Sequence, residues 1–148
     1  METAPSYRER LVPPWWLPLV LLLIVPAVLL VFLPVNLQVG VAIAIVLYVA
    51  VVALLWLSAP VVAVEGAELR AGRARIPVAQ LGSPEVLLGD AAQSALRAGW
   101  DPADHHVVSP WTRALVRVAV EDPEDPTPAW LISSRRPEAL AAAIGAAR

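Results

Sequence analysis

The chain has 148 residues, a formal charge of −2, 58% hydrophobic residues and no cysteine. The lack of cysteine excludes disulfides, thiolate zinc sites and cysteine nucleophiles. The slightly acidic balance excludes the basic footprint of a nucleic-acid-binding domain. All eleven basic residues are arginine, which together with the excess of Ala, Val and Pro points to a GC-rich genome.

Residues 1–14 form a short N-terminal segment carrying Arg8 and Arg10. From Leu11 to Val64 there is no Asp, Glu, Lys, Arg or His over 54 residues. Two spans of 19 residues fit this stretch, 15–33 and 39–57, joined by a loop at 34–38. Each is close to the ~20 residues that cross a hydrocarbon core. Neither shows the polar face of a water-soluble helix. The short loop makes the two helices antiparallel, so 15–58 reads as a transmembrane hairpin rather than a cleaved signal. Pro26 lies in mid-span, where it deprives the Leu22 carbonyl of its usual donor and kinks the helix. Gly40-x-x-x-Ala44 is a small-residue pair suited to a helix–helix contact. It packs the second span on the first, or else joins two copies of the chain as a homo-oligomer.

Arginines flank the hairpin at Arg8 and Arg10 and again at Arg70, Arg73 and Arg75, with none in the loop. The positive-inside rule then places both termini in the cytoplasm of a multi-pass cell-membrane protein. Trp15, Trp16 and Trp56 fall on that side, at headgroup level, with Tyr7 just outside.

Residues 61–148 are expected to form a cytoplasmic α+β domain. Strands are predicted at Val61–Val64, Ala67–Arg70, Ala74–Val78, Glu85–Leu88, His105–Ser109, Ala114–Glu121 and Ala129–Ser133. Pro77 marks an edge strand. A short helix is expected over Asp90–Arg97, with Asp90 and Gln93 as a capping box and Gly99 as a left-handed stop. A final helix starts at Pro137 and turns Leu140 and Ile144 to the core. Mostly antiparallel strands closed by a C-terminal helix are similar, by element order, to pleckstrin-homology-like modules. Trp100, Trp111 and Trp130 are expected in the core.

Four strings stand out: Tyr7-Arg8-Glu9-Arg10-Leu11, Trp15-Trp16, Asp122-Pro123-Glu124-Asp125-Pro126-Thr127-Pro128-Ala129-Trp130 and Ser133-Ser134-Arg135-Arg136-Pro137. Together they resemble an actinobacterial membrane family catalogued as domain of unknown function 3093, over nearly the whole chain. Members usually have Tyr where this chain has Ala129, so a surface that needs that ring is missing here. The resemblance implies a two-span bacterial membrane protein with a small cytoplasmic domain, and no activity.

Candidate sites are few. Glu121, Asp122, Glu124 and Asp125 supply carboxylates, but without the glycine of a calcium loop they read as a solvated hairpin loop. His105 and His106 are neighbours on a strand and point to opposite faces, so they read as surface histidines and not as ligands of one metal ion. Arg135 and Arg136, before a helix start, suit a phosphate or carboxylate. The competing reading pairs them with Glu138 or the Asp122–Asp125 loop. Ser133 and Ser134 have no His or Asp at informative spacing. No nucleophile elbow, phosphate loop or zinc signature is present, and no catalytic residue, metal or cofactor is expected.

The leading expectation is a non-enzymatic, membrane-anchored accessory or scaffold protein. Its partners would be the lipid bilayer and an unknown protein or anionic headgroup bound by the cytoplasmic domain, with no nucleic acid. The alternative is a small helical subunit of a larger membrane enzyme or transport complex. A hydrolase with an unrecognised site is the third reading.

Overall fold

The computed structural model describes residues 6–148. The chain divides into two compact units. One is Val12–Ala59, and the other joins the residues before it, through Leu11, to those from Pro60 onward.

The first unit contains helices α1 (Leu17–Leu21), α2 (Ile24–Phe32) and α3 (Leu37–Leu57). The continuous helix expected over 15–33 is interrupted at Leu22–Leu23. The cause is Pro26, which has no N–H for the Leu22 carbonyl. That carbonyl accepts instead from Val25 N at 3.0 Å, and Leu23 N turns back to Val20 O at 3.1 Å. Two tighter i→i+3 bonds thus replace the missing α bond. The expected kink is a break in the turn before the proline. Among the described residues only α3, with 21 residues, has the length and apolarity to cross a membrane as one helix; Leu17–Phe32 is a shorter apolar stretch.

Asn36 starts α3, its Oδ1 accepting from Gln38 N at 3.0 Å and Val39 N at 3.2 Å. This side-chain cap satisfies two of the N–H groups that a helix start leaves open. The connection is therefore shorter than the predicted 34–38. Tyr48 Oη donates to the Pro18 carbonyl at 3.1 Å, which provides a partner for a polar group on α3. Of the residues of α3, only Gly40 and Ala44 are buried.

Gly40 faces α2 of the same chain: a Cβ there would lie 2.7 Å from Phe32 Cβ. The small-residue pair is used within the hairpin, so it lends no weight to the homo-oligomer expected as an alternative through Gly40 and Ala44. Gly40→Ala is expected to force α2 and α3 apart and cost about 1–3 kcal/mol, the usual overpacking range. Gly145→Ala, with nothing within 4 Å, should be neutral or slightly stabilising. Thermal unfolding of both variants in detergent checks the contrast, and an unchanged midpoint for Gly40→Ala would contradict it.

The second unit is an α+β domain with two four-stranded sheets. The first is an antiparallel meander of β1 (Tyr7–Arg10), β2 (Val61–Glu65), β3 (Glu68–Ala71) and β4 (Ala74–Pro77). Gly66, at φ 59°, makes the β2–β3 turn that a side chain would strain. β4 is an edge, as Pro77 requires. The unexpected member is β1. The segment set apart as 1–14 supplies, in Tyr7–Arg10, a strand paired with β2 in the register Tyr7↔Val64 to Arg10↔Val61. Tyr7 is therefore in the core of this unit, 6% exposed.

The second sheet has the order β5 (Glu85–Leu87), β7 (Leu115–Ala119), β8 (Ala129–Ser133) and β6 (His105–Val107). β6 runs parallel to β8, while β5–β7 and β7–β8 are antiparallel, as expected for most of the strands. Alternation reveals a strand's faces but not the direction of its partner. The faces follow the period-two alternation of the residues in these strands. Val116, Val118, Trp130 and Ile132 join the main core with Tyr7, Val64 and Leu69. Leu115 and Leu131 turn to a smaller cluster under α4 (Gly89–Leu96).

Helix α5 (Pro137–Ala146) closes the main core with Leu140 and Ile144, both fully buried. α4 begins one residue before the prediction, with Leu88 at the cap and no side-chain cap bond, so Asp90 and Gln93 form no capping box. Asp90 lies in the first turn, where its charge suits the positive end of the helix dipole. Gly99 is not left-handed; it donates to the Ser94 carbonyl at 2.9 Å and sits where a Cβ would crowd Ala95 Cα at 3.3 Å. Trp130 is buried, but Trp100 and Trp111 are 46% and 39% exposed, contrary to the core expected for all three.

Candidate functional site

On β1 the alternation turns Tyr7 and Glu9 inward and Arg8 and Arg10 outward. Glu9 is only 7% exposed, an unusual place for a carboxylate. It persists because donors converge on it. Glu9 Oε2 accepts from Tyr7 Oη at 2.5 Å and from Ser134 Oγ at 2.8 Å. The Arg135 backbone N–H reaches both carboxylate oxygens, at 3.1 and 3.3 Å. Arg135 Nε donates to Oε1 at 3.0 Å. Each hydroxyl has one hydrogen, so with both directed at Glu9 the 2.8 Å separation of Tyr7 Oη and Ser134 Oγ is a packing contact. Ser134 Oγ also accepts from Arg136 N at 3.0 Å.

Burial works against the Glu9 charge, but the hydrogen bonds from Tyr7, Ser134 and Arg135 outweigh it and hold the carboxyl below its ordinary range. Burial and the neighbouring Glu9 push the Tyr7 hydroxyl up. The Arg135 side chain remains 53% exposed, and its Nη2 donates to the Arg10 carbonyl at 2.6 Å. The Arg136 guanidinium carbon lies 5.4 Å from the centre of the Tyr7 ring, a cation–π distance.

Arg8, Glu9, Arg10, Arg135 and Arg136 line one shallow cleft of about 410 Å³. The sequence-predicted pair is thus brought together, but Arg135 is matched with Glu9 rather than with Glu138 or the Asp122–Asp125 loop. Glu9, Tyr7 and Ser134 were not foreseen as one centre. The available signal was the period-two string Tyr7-Arg8-Glu9-Arg10-Leu11, which reads as a strand with Glu9 on its apolar face.

The other candidates separate. In the β7–β8 loop, Asp122 Oδ1 accepts from Glu124 N at 3.0 Å and Asp125 Oδ1 from Thr127 N at 2.9 Å. These carboxylates brace their own loop, and hydrogen bonds from Thr127 hold Asp125 below its ordinary range. His106 stacks on Trp100, centroids 3.6 Å apart and 14° between planes, while His105 tilts against Trp130 at 4.5 Å. The two rings diverge as alternation requires, but they are half-buried rather than surface groups. Among the described residues no three His, Cys, Asp or Glu side chains are grouped to hold a metal. Ser133 Oγ accepts from Ser109 N at 2.9 Å, a structural use. A further cleft of about 530 Å³ lies between α4 and the 108–113 segment, with Asp90 and Arg113 on its wall.

The sequence model of one family, described as "Protein of unknown function (DUF3093)", matches residues 6–144. No curated protein and no solved structure matches the chain.

Proposed function

This chain belongs to the DUF3093 family, whose function is unknown, and from that premise we propose a non-enzymatic, membrane-anchored accessory or scaffold protein. Its helical hairpin anchors it in the cell membrane with both termini cytoplasmic, and the α+β domain binds a partner there through the arginine cleft. The observation that carries the anchor is α3. It is 21 residues long and strongly apolar, and only Gly40 and Ala44 of it are buried, whereas the core helix of a soluble protein is mostly buried. Leu54 and Leu57 in water would expose apolar surface at about 25 cal/mol per Å²; in lipid they would not. Leu17–Phe32 lacks the length of one straight span, and its broken turn is tolerated in membrane helices where tighter bonds re-satisfy the backbone. The arginines on either side of the hairpin support the cytoplasmic orientation.

For the domain, support comes from four arginines that line one cleft. Guanidinium groups match carboxylate and phosphate oxygens bidentately. The Arg10 position is only five residues from Trp15 in the chain, close to the proposed headgroup level.

The absence of native cysteine makes the topology directly testable. A single cysteine at Val35 should react with an impermeant maleimide added to intact cells. One at Arg148 should react only after permeabilisation. Equal labelling of the two positions, or loss of the protein from the membrane pellet in alkaline carbonate, would rule the hairpin anchor out.

A further inference from the structure

We infer that the arginine cleft beside Glu9 is a site for a phosphate monoester dianion, carried by a lipid headgroup or free in solution. The inference rests on the anion-binding part of the proposed function and names its ligand. With Arg10 set aside, Arg8, Arg135 and Arg136 against the Glu9 carboxylate leave a surplus of two positive charges in the cleft. A phosphodiester brings one negative charge. A monoester brings about −1.5 to −2 at pH 7 and three terminal oxygens. The second charge and the third oxygen are what a multi-arginine cleft can use.

Glu9 has a part in this selectivity. It is buried and binds Arg135 through Nε, while the Arg10 carbonyl binds Nη2. Two of the five guanidinium donors are thereby fixed, and the plane of the group is set before any ligand arrives. Arg136, placed by Tyr7 and by the start of α5, adds a second oriented guanidinium. Glu138 lies in the first turn of α5 but does not line the cleft.

The test uses the full chain in nanodiscs. One set contains phosphatidylcholine with phosphatidic acid, a monoester. A second contains phosphatidylglycerol, a diester, at matched surface charge. A third is phosphatidylcholine alone, titrated with inorganic phosphate. Hydrogen exchange of the amides in β1 and at 133–137 reports occupancy. The expected result is protection by the monoester with roughly tenfold higher apparent affinity than by the diester, the factor that one further charge-assisted hydrogen bond supplies.

Protection by phosphatidic acid alone assigns the lipid as the source; protection by inorganic phosphate as well assigns the free dianion. Arg8→Ala and Arg136→Ala should each weaken the preference. Arg8 lies on the outward face of β1, so its variant retains the fold even if the loss of the Arg136–Tyr7 contact does not. Equal protection by phosphatidylglycerol overturns the monoester inference and leaves anion binding standing. No response to any of the three anions overturns both. A preference unchanged in both variants places the ligand elsewhere and overturns the site.

A pH series adds an independent readout. The monoester loses its second charge as pH falls through about 6, and its protection should weaken there, while that of the diester should not. The titratable groups lining the cleft are Glu9 and the four arginines, and Tyr7 donates to Glu9 from the core. Glu9, held below its ordinary range, stays ionised across that window.

Discussion

A fragment of residues 61–148 is expected not to fold to the native α+β domain, although sequence alone marks it as one. The fragment lacks β1, and with it three losses occur together. Tyr7 and Leu11 leave the main core. At about 1.5–3 kcal/mol for each large apolar side chain, their burial contributes roughly 3–6 kcal/mol. β2 loses the antiparallel partner held in register from Tyr7↔Val64 to Arg10↔Val61, which bares a ladder edge lined by Val62 and Val64. Ser134 and Arg135 lose the carboxylate to which they donate. Whole-domain stabilities are only about 5–15 kcal/mol, so these losses consume most of the margin. Linking residues 6–11 to 60–148 through a flexible connector in place of the hairpin should restore a cooperative transition. Circular dichroism and denaturant titration of the two fragments decide it. Native-like cooperativity in 61–148 would show that β1 is dispensable.

Glu9→Gln is expected to destabilise the same domain by about 2–4 kcal/mol, far more than the 0–1 kcal/mol of an exposed ion pair. The Arg135 side chain is half exposed, so most of this cost does not come from the Arg135 charge. It arises because Tyr7, Ser134 and the Arg135 amide donate to a buried carboxylate, and an amide presents donors of its own to some of them. Glu9→Ala removes the acceptor entirely and should cost more. The sign of the pH dependence follows from the lowered folded-state carboxyl. Its contribution is present above the ordinary glutamate value of 4.5 and is lost as pH falls through the lower folded value. The wild-type denaturation midpoint should therefore fall below about pH 4.5, and the Glu9→Gln profile should be flatter over that range. A variant within 0.5 kcal/mol of wild type, or parallel pH profiles, would show that the network contributes no more than a surface pair.

Much of the architecture was legible in order. The uncharged run from Leu11 to Val64 marked the helical unit, because an apolar stretch of that length leaves no polar face for water. The alternation over Leu115–Ala119 and Ala129–Ser133 assigned the two faces of the second sheet correctly. Pro26 located the disturbance in the first helix, but the local bonds at Leu22 and Val25 decided that it is a break. The exposed Trp100 could not be told from buried Trp130, since bulk and apolarity are the same in both. Arg135 stands out in the sequence, but its carboxylate partner, Glu9, lies too far along the chain to be read there.

Composition and periodicity by themselves determined the charge-free helical stretch, most of the strands, the closing helix and the interest of Arg135–Arg136. Tertiary structure alone decided that Tyr7–Arg10 belongs to the α+β domain and that Glu9 faces inward. The physical reason is distance along the chain. A buried carboxylate is tolerated only where donors offset its lost hydration, and those of Ser134 and Arg135 lie 125 and 126 positions away. Local pattern assigns such a charge to solvent; the fold brings together the groups that hold it inside.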